Sequence, residues 1–215
     1  MNLDDLLIHK NPYLFRAKNV LTAYDIIKGF ADAFLQSQEE TLFGEFIEGL
    51  AIFVCSQNYN AKKADMEGLD LIFEKKNIVY GVEIKAGWNW GNAAQIRDFK
   101  MHSAKNKSAL EKATGKQVEI INGCCFGKVR NRNPEKAGYY KMCGQEFWTL
   151  ISDDEELYVN LIEPIGHKAK QRNEQFDVEY AAMINKFTVQ FANRFCEDGK
   201  IDWHKLVRFN SEKKS

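Results

Sequence analysis

Apolar residues recur every three to four positions over residues 24–36, where Ile26, Ile27, Phe30, Ala31, Phe34 and Leu35 share one side of a helix. Ser37, with Glu40 three residues later, has the pattern of a capping box and predicts a second helix starting there. The core-facing stripe of that helix is Phe43, Phe46, Ile47, Leu50, Ala51 and Val54, ending near Ser56. The period then shortens. Residues 69–73 and 77–85 are dense in β-branched and aromatic side chains and read as two strands. Lys76-Asn77 between them suits a two-residue hairpin turn, because asparagine accepts a positive φ. A helix over about 93–112, a strand over 117–124 and a loop-rich basic stretch to Ala137 follow, then helices over about 144–162 and 166–196. Helices flanking a mixed central sheet make an α/β fold. With no linker, repeat or low-complexity tract, one domain over residues 1–215 is expected, with helical N- and C-terminal segments.

Net charge is zero, so the global balance does not point to a polyanionic partner. The distribution does. Residues 97–141 hold eleven Lys or Arg against four acids, whereas residues 1–60 hold eight acids against four bases. A protein that presents one face to a phosphate backbone has this asymmetry, and so does one with a merely solvated basic face. No run approaches the ~20 apolar residues of a membrane span. The start, Met1-Asn2-Leu3-Asp4-Asp5, has no secretory pattern, and a cytoplasmic location is expected. The five cysteines lack metal-ligand spacing and read as buried, reduced thiols.

Glu83 and Lys85 stand two apart in a strand, so their side chains project from one face. With the turn centred on Lys76-Asn77, Asp70 falls directly opposite Glu83. Facing carboxylates repel unless something positive lies between them. A hard divalent cation such as Mg²⁺ can do so, taking oxygen ligands and keeping waters that a substrate displaces. Lys85 points an ammonium at the same space. The spacing alone fits a solvated polar ladder equally well. Against that reading stand the apolar strands and the next residues, Ala86-Gly87-Trp88-Asn89-Trp90-Gly91-Asn92, which look like a loop facing a ligand. Buried tryptophans anchoring that loop are the alternative.

Gly68-Leu69-Asp70 followed by Glu83-Ile84-Lys85 resembles the PD-(D/E)xK signature of restriction endonucleases and related nucleases, with Leu69 in place of the usual proline. Residues 11–19, 39–44, 88–92, 122–128, 139–145 and 166–173 together resemble the PmeII-type family of type II restriction endonucleases, over nearly the whole chain. That resemblance implies a restriction-endonuclease-like fold and Mg²⁺-dependent cleavage of double-stranded DNA by a homodimer, giving 5′-phosphate and 3′-hydroxyl ends. It implies ion binding by Asp70, Glu83 and the Ile84 carbonyl, with Lys85 acting on water and phosphate. A third carboxylate commonly comes from the preceding helix. On a helical wheel Glu48 lies beside Ala51 at the edge of the apolar stripe, whereas Glu45 lies opposite it, which selects Glu48. A cognate DNA methyltransferase would complete the system. A structure-selective repair or junction nuclease, or a non-catalytic DNA-binding protein of the same fold, are the competing readings.

DNA contact is expected from two stretches. The first holds Trp88, Asn89, Asn92, Gln95, Arg97, Lys100 and His102; the second holds Lys128, Arg130, Arg132 and Asn133. The lysines suit phosphate better than base edges. The basic segment His167, Lys168, Lys170 and Arg172 is a further candidate, or simply the first turn of a surface helix. His102 and His167 read as structural or DNA-facing residues, since metal-based hydrolysis needs no histidine base.

Overall fold

The computed structural model describes residues 2–129, 138–166 and 169–213, those of 169–174 by their backbone alone. Contacts divide the chain into two compact units, one of residues 1–41 with 167–215 and one of residues 42–166.

The first unit is helical. Asn2 caps α1 (Leu3–Ile8) through a reciprocal box with Asp5. Asn11 caps α2 (Pro12–Ala17), whose proline sits where a helix needs no N–H. Then come the first part of α3 (Ala23–Tyr59) and, late in the chain, α8 (Ala169–Phe195), a hairpin of β6 (Cys196–Glu197) and β7 (Lys200–Ile201), and α9 (Trp203–Ser211). Its core gathers Leu6, Leu7, Phe15, Ile26, Ile27, Phe30, Phe191 and Leu206.

The two helices expected over residues 24–56 are a single helix, α3. Thr22 caps it, its Oγ1 accepting from the Asp25 N–H at 3.1 Å. The Ser37/Glu40 pair has the residues of a cap but not the setting. Gln36, Gln38, Glu39 and Glu40 all favour continued helix, and no Gly or Pro interrupts them. Ser37 O instead accepts from Thr41 Oγ1, and Gln36 Nε2 reaches Glu40 Oε1. Phe43 and Phe46, expected in the core stripe, are 44% and 51% exposed. The buried stripe is narrower, Ile47, Ala51 and Cys55 at intervals of four, and Phe43 and Phe46 lean on each other outside it.

The second unit holds a five-stranded sheet in the order β1 (Lys62–Lys63), β2 (Leu71–Lys75), β3 (Ile78–Gly87), β4 (Gln117–Phe126), β5 (Tyr140–Cys143). The first three strands run antiparallel and the last two pairs are parallel, so the sheet is mixed. Between β3 and β4 runs the crossover helix α4 (Ala93–Thr114), whose Phe99 and Leu110 pack with Val79, Val118 and Ile120. Alternate residues of the same strands, Val82, Ile84, Ile121 and Cys125, pack with Ile47 and Ala51 of α3 and with Phe147 and Trp148 of α5 (Gln145–Ser152). This is the α/β architecture expected, a mixed sheet flanked by helices. The helix expected over 144–162 is broken. Asp153 turns left-handed (φ 61°) with its carboxylate on Lys75 Nζ at 2.6 Å, and only α6 (Leu157–Asn160) and α7 (Ile162–Gly166) follow. All five cysteines are free thiols, four of them buried, and burial pushes Cys55 and Cys125 up to about 12.

Gly123 marks the tightest approach in this core. A Cβ there would stand 2.3–2.8 Å from three ring atoms of Phe147, which is fully buried. Gly123→Ala is expected to cost about 1–3 kcal/mol, the range for an overpacked core. It should appear as a lower urea midpoint with unchanged slope. An unchanged midpoint would mean that the Phe147 ring can move aside.

Candidate active site

The hairpin that carries Asp70, Glu83 and Lys85 is set by its turn. Lys76 and Asn77 both have positive φ (51° and 65°), the two-residue geometry whose twist matches the flanking strands. Pairing then runs from Lys75↔Ile78 to Leu71↔Val82, the expected register. Asp70 lies one residue beyond the last pair. Its N–H donates to Val82 O at 2.8 Å, and its Oδ2 accepts from the Ile84 N–H at 2.6 Å. Where β2 stops, the aspartate side chain thus takes over the amide that a longer strand would have bonded.

Glu83 and Lys85 share a face of β3, and Lys85 Nζ sits 2.9 Å from Glu83 Oε1. Glu83 Oε2 is buried with no hydrogen-bond partner. Burial lifts the Glu83 carboxyl above the usual range, and the Asp70 charge lifts it further against the opposing Lys85 bond. Glu48, half-buried on α3, is raised for the same reasons in the same order, burial first and Asp70 second, with Lys85 and Lys63 opposing. Glu45 is exposed. Asp70 and Lys85 thus act on the charge of both Glu83 and Glu48. Lys63, on β1, is an addition that the sequence reading missed, its only signal being the Lys62-Lys63 doublet beside a strand.

A model of the family described as type II restriction endonuclease EcoO109I matches residues 1–173. The chain belongs to this family. As a type II restriction endonuclease it is a site-specific deoxyribonuclease that binds DNA, and enzymes of this class generally use divalent metal ions. The family matched is that of EcoO109I, whereas the segments quoted above resemble PmeII-type enzymes. No curated protein matches the chain.

The residue types brought together on this hairpin suit such an ion. Asp70 and Glu83 offer hard oxygen donors, and the orphaned Oε2 of Glu83 is a buried acceptor with nothing bound to it. Among the described residues, no three His, Cys, Asp or Glu side chains are grouped as a ready ligand set. Mg²⁺ does not demand one, since it is commonly held by one or two carboxylates with water and phosphate oxygens filling the octahedron. No helix among the described residues is long and apolar enough to cross a membrane.

The expected DNA-contacting residues have diverse settings. Trp88 and Asn89 are exposed, and the Trp88 carbonyl accepts from Lys141 Nζ at 2.5 Å. Asn92 and Gln95 form the capping box of α4: Asn92 Oδ1 accepts from the N–H groups of Ala94 and Gln95, and Gln95 Oε1 from that of Asn92. Their oxygens are engaged in starting the helix. Arg97, Lys100 and Lys128 are exposed. Arg130, Arg132, Asn133, His167 and Lys168 lie outside the described residues, as do the side chains of Lys170 and Arg172. His102 faces Glu67 at 3.7 Å and packs against Gly68, whose φ of 80° makes the turn before Asp70.

Proposed function

We propose that Asp70, Glu83 and Lys85, with Glu48 as third carboxylate, form the centre at which this endonuclease hydrolyses double-stranded DNA with Mg²⁺ at a short specific sequence. The ends carry 5′-phosphate and 3′-hydroxyl groups. The observation that carries the reading is Glu83 Oε2, a buried carboxylate oxygen without a partner in a site that already contains two other acids. An unpaired buried acceptor costs stability, and binding a cation offsets that cost. Asp70, Glu83, the Ile84 carbonyl and Glu48 are the groups that would hold the ion. When bound, a divalent ion polarises the scissile phosphate and lowers the pKa of water. Lys85 orients the attacking water and offsets the negative charge that builds on the phosphate. Asp70 holds its own place through the Ile84 amide, so its second oxygen is oriented before substrate arrives.

Exposed Arg97, Lys100 and Lys128, with Arg130 and Arg132, fit contacts to phosphate. Trp88 and Asn89, with the free amide groups of Asn92 and Gln95, fit the groove beside the scissile bond. A homodimer would cut both strands, and a cognate methyltransferase would protect the host's own sites in the cytoplasm. Both units would serve as one nuclease domain, and the segments noted above favour grouping it with PmeII-type enzymes.

Digestion of a plasmid by the purified protein tests this reading. Discrete bands are expected with Mg²⁺ or Mn²⁺ and none in excess EDTA, while Ca²⁺, larger and more loosely coordinated, should support binding with little cutting. Sequencing the ends would give the site and the stagger. Full cleavage in EDTA would defeat the metal-based reading.

A further inference from the structure

Lys85 does not rest on Glu83 alone. Its Nζ also lies 5.1 Å from the centroid of the Trp90 ring. An ammonium on a flexible four-carbon stem keeps several rotamers when one carboxylate holds it. An aromatic face adds a second attraction that narrows them. Trp90 is itself fixed. Its Nε1 donates to Asn122 Oδ1 at 2.8 Å, and its ring meets buried Phe99 edge-on at 5.7 Å between centroids. Asn122 is fully buried on β4, in register with Glu83, and its Nδ2 has no hydrogen-bond partner. An apolar residue there would spare the sheet an unsatisfied donor. What asparagine contributes is the oxygen that anchors the indole.

We propose that Trp90 is a positioning residue for the nuclease reaction: its ring face holds the Lys85 ammonium in place, and Asn122 holds the ring. The proposal rests on the assignment of Lys85 to the catalytic centre made above. Trp90 acts through Lys85 and touches no reacting atom.

Tryptophan bearing one, two or three ring fluorines, installed at position 90 of the full-length protein, nearly preserves shape and keeps the indole N–H while draining charge from the ring face. Single-turnover cleavage of plasmid with Mg²⁺ should fall stepwise with fluorine number, to roughly a tenth of the wild-type rate with three. Affinity for the same DNA in Ca²⁺ and the thermal midpoint should stay where they are. Trp90→Leu, which removes the face altogether, should slow cleavage by at least about tenfold. Equal rates across the fluorinated series would overturn the proposal. So would a loss of DNA affinity that tracks the loss of rate, because it would place the ring on DNA. Lys85→Ala separates this proposal from the one beneath it. Normal cleavage by Lys85→Ala defeats the role of Lys85 itself, whereas an inactive Lys85→Ala beside an unaffected fluorinated series defeats only that of Trp90.

Discussion

Lys85→Ala is expected to lower the single-turnover cleavage rate by ~10³-fold, the scale on which a positioned charged or proton-moving group contributes to a reaction. Affinity for DNA measured in Ca²⁺ should stay close to that of the unaltered protein, since in the proposed role the lysine acts on charge that develops in the transition state more than on bound DNA. The side chain of Lys85 is 32% exposed, against 14% for Glu83, so its own loss leaves little cavity. What changes is Glu83, which keeps its buried, unpartnered Oε2 and loses its ion pair. The Glu83 carboxyl should then move still further above the usual range. Lys85→Met, which keeps the apolar stem, distinguishes charge from packing. If Met restores cleavage, or if Ala abolishes binding and folding together with cleavage, Lys85 is structural.

Glu48→Ala should slow cleavage by at least ~10²-fold, the cost of removing one preorganised electrostatic group, and Glu45→Ala should do little. The continuous course of α3 strengthens this contrast, because no break between Ser37 and Val54 can shift the register of the helix face. Ile47 and Ala51 are buried on either side of Glu48, and Asp70 acts on its charge. Glu45 is one turn back and exposed. Rates from the two variants, with circular dichroism to check folding, decide the matter. Reversed effects would place Glu45 in the site, and two neutral variants would remove this helix from it.

The hairpin was legible because everything that sets it is local. Strand alternation, a turn with two residues of positive φ and a fixed pairing all lie between Asp70 and Lys85. Local signals misled where a longer element absorbed them. Ser37 and Glu40 form a cap only if the helix stops before them, and strong helix formers on both sides carry it through. The partners of Trp90 were not legible at all. Asn122 meets Glu83 only through the parallel pairing of β3 with β4, and that register is fixed after the whole of α4 has crossed the sheet. In the sequence Asn122 is one more residue in an apolar strand. The exposure of Phe43 and Phe46 was hidden for a related reason: periodicity shows that a helix has an apolar side, while its width depends on what packs against it.

The turn at Lys76 and Asn77 has a reach beyond its own end of the hairpin. Side chains alternate along a strand, so a slip of one residue at that turn would send Glu83 and Lys85 to the other face of the sheet relative to the residues of β2. No bond joins the turn to the carboxylates. Their alignment is kept by counting, residue against residue up the ladder, and two positions that carry no chemistry act as the gauge for those that do.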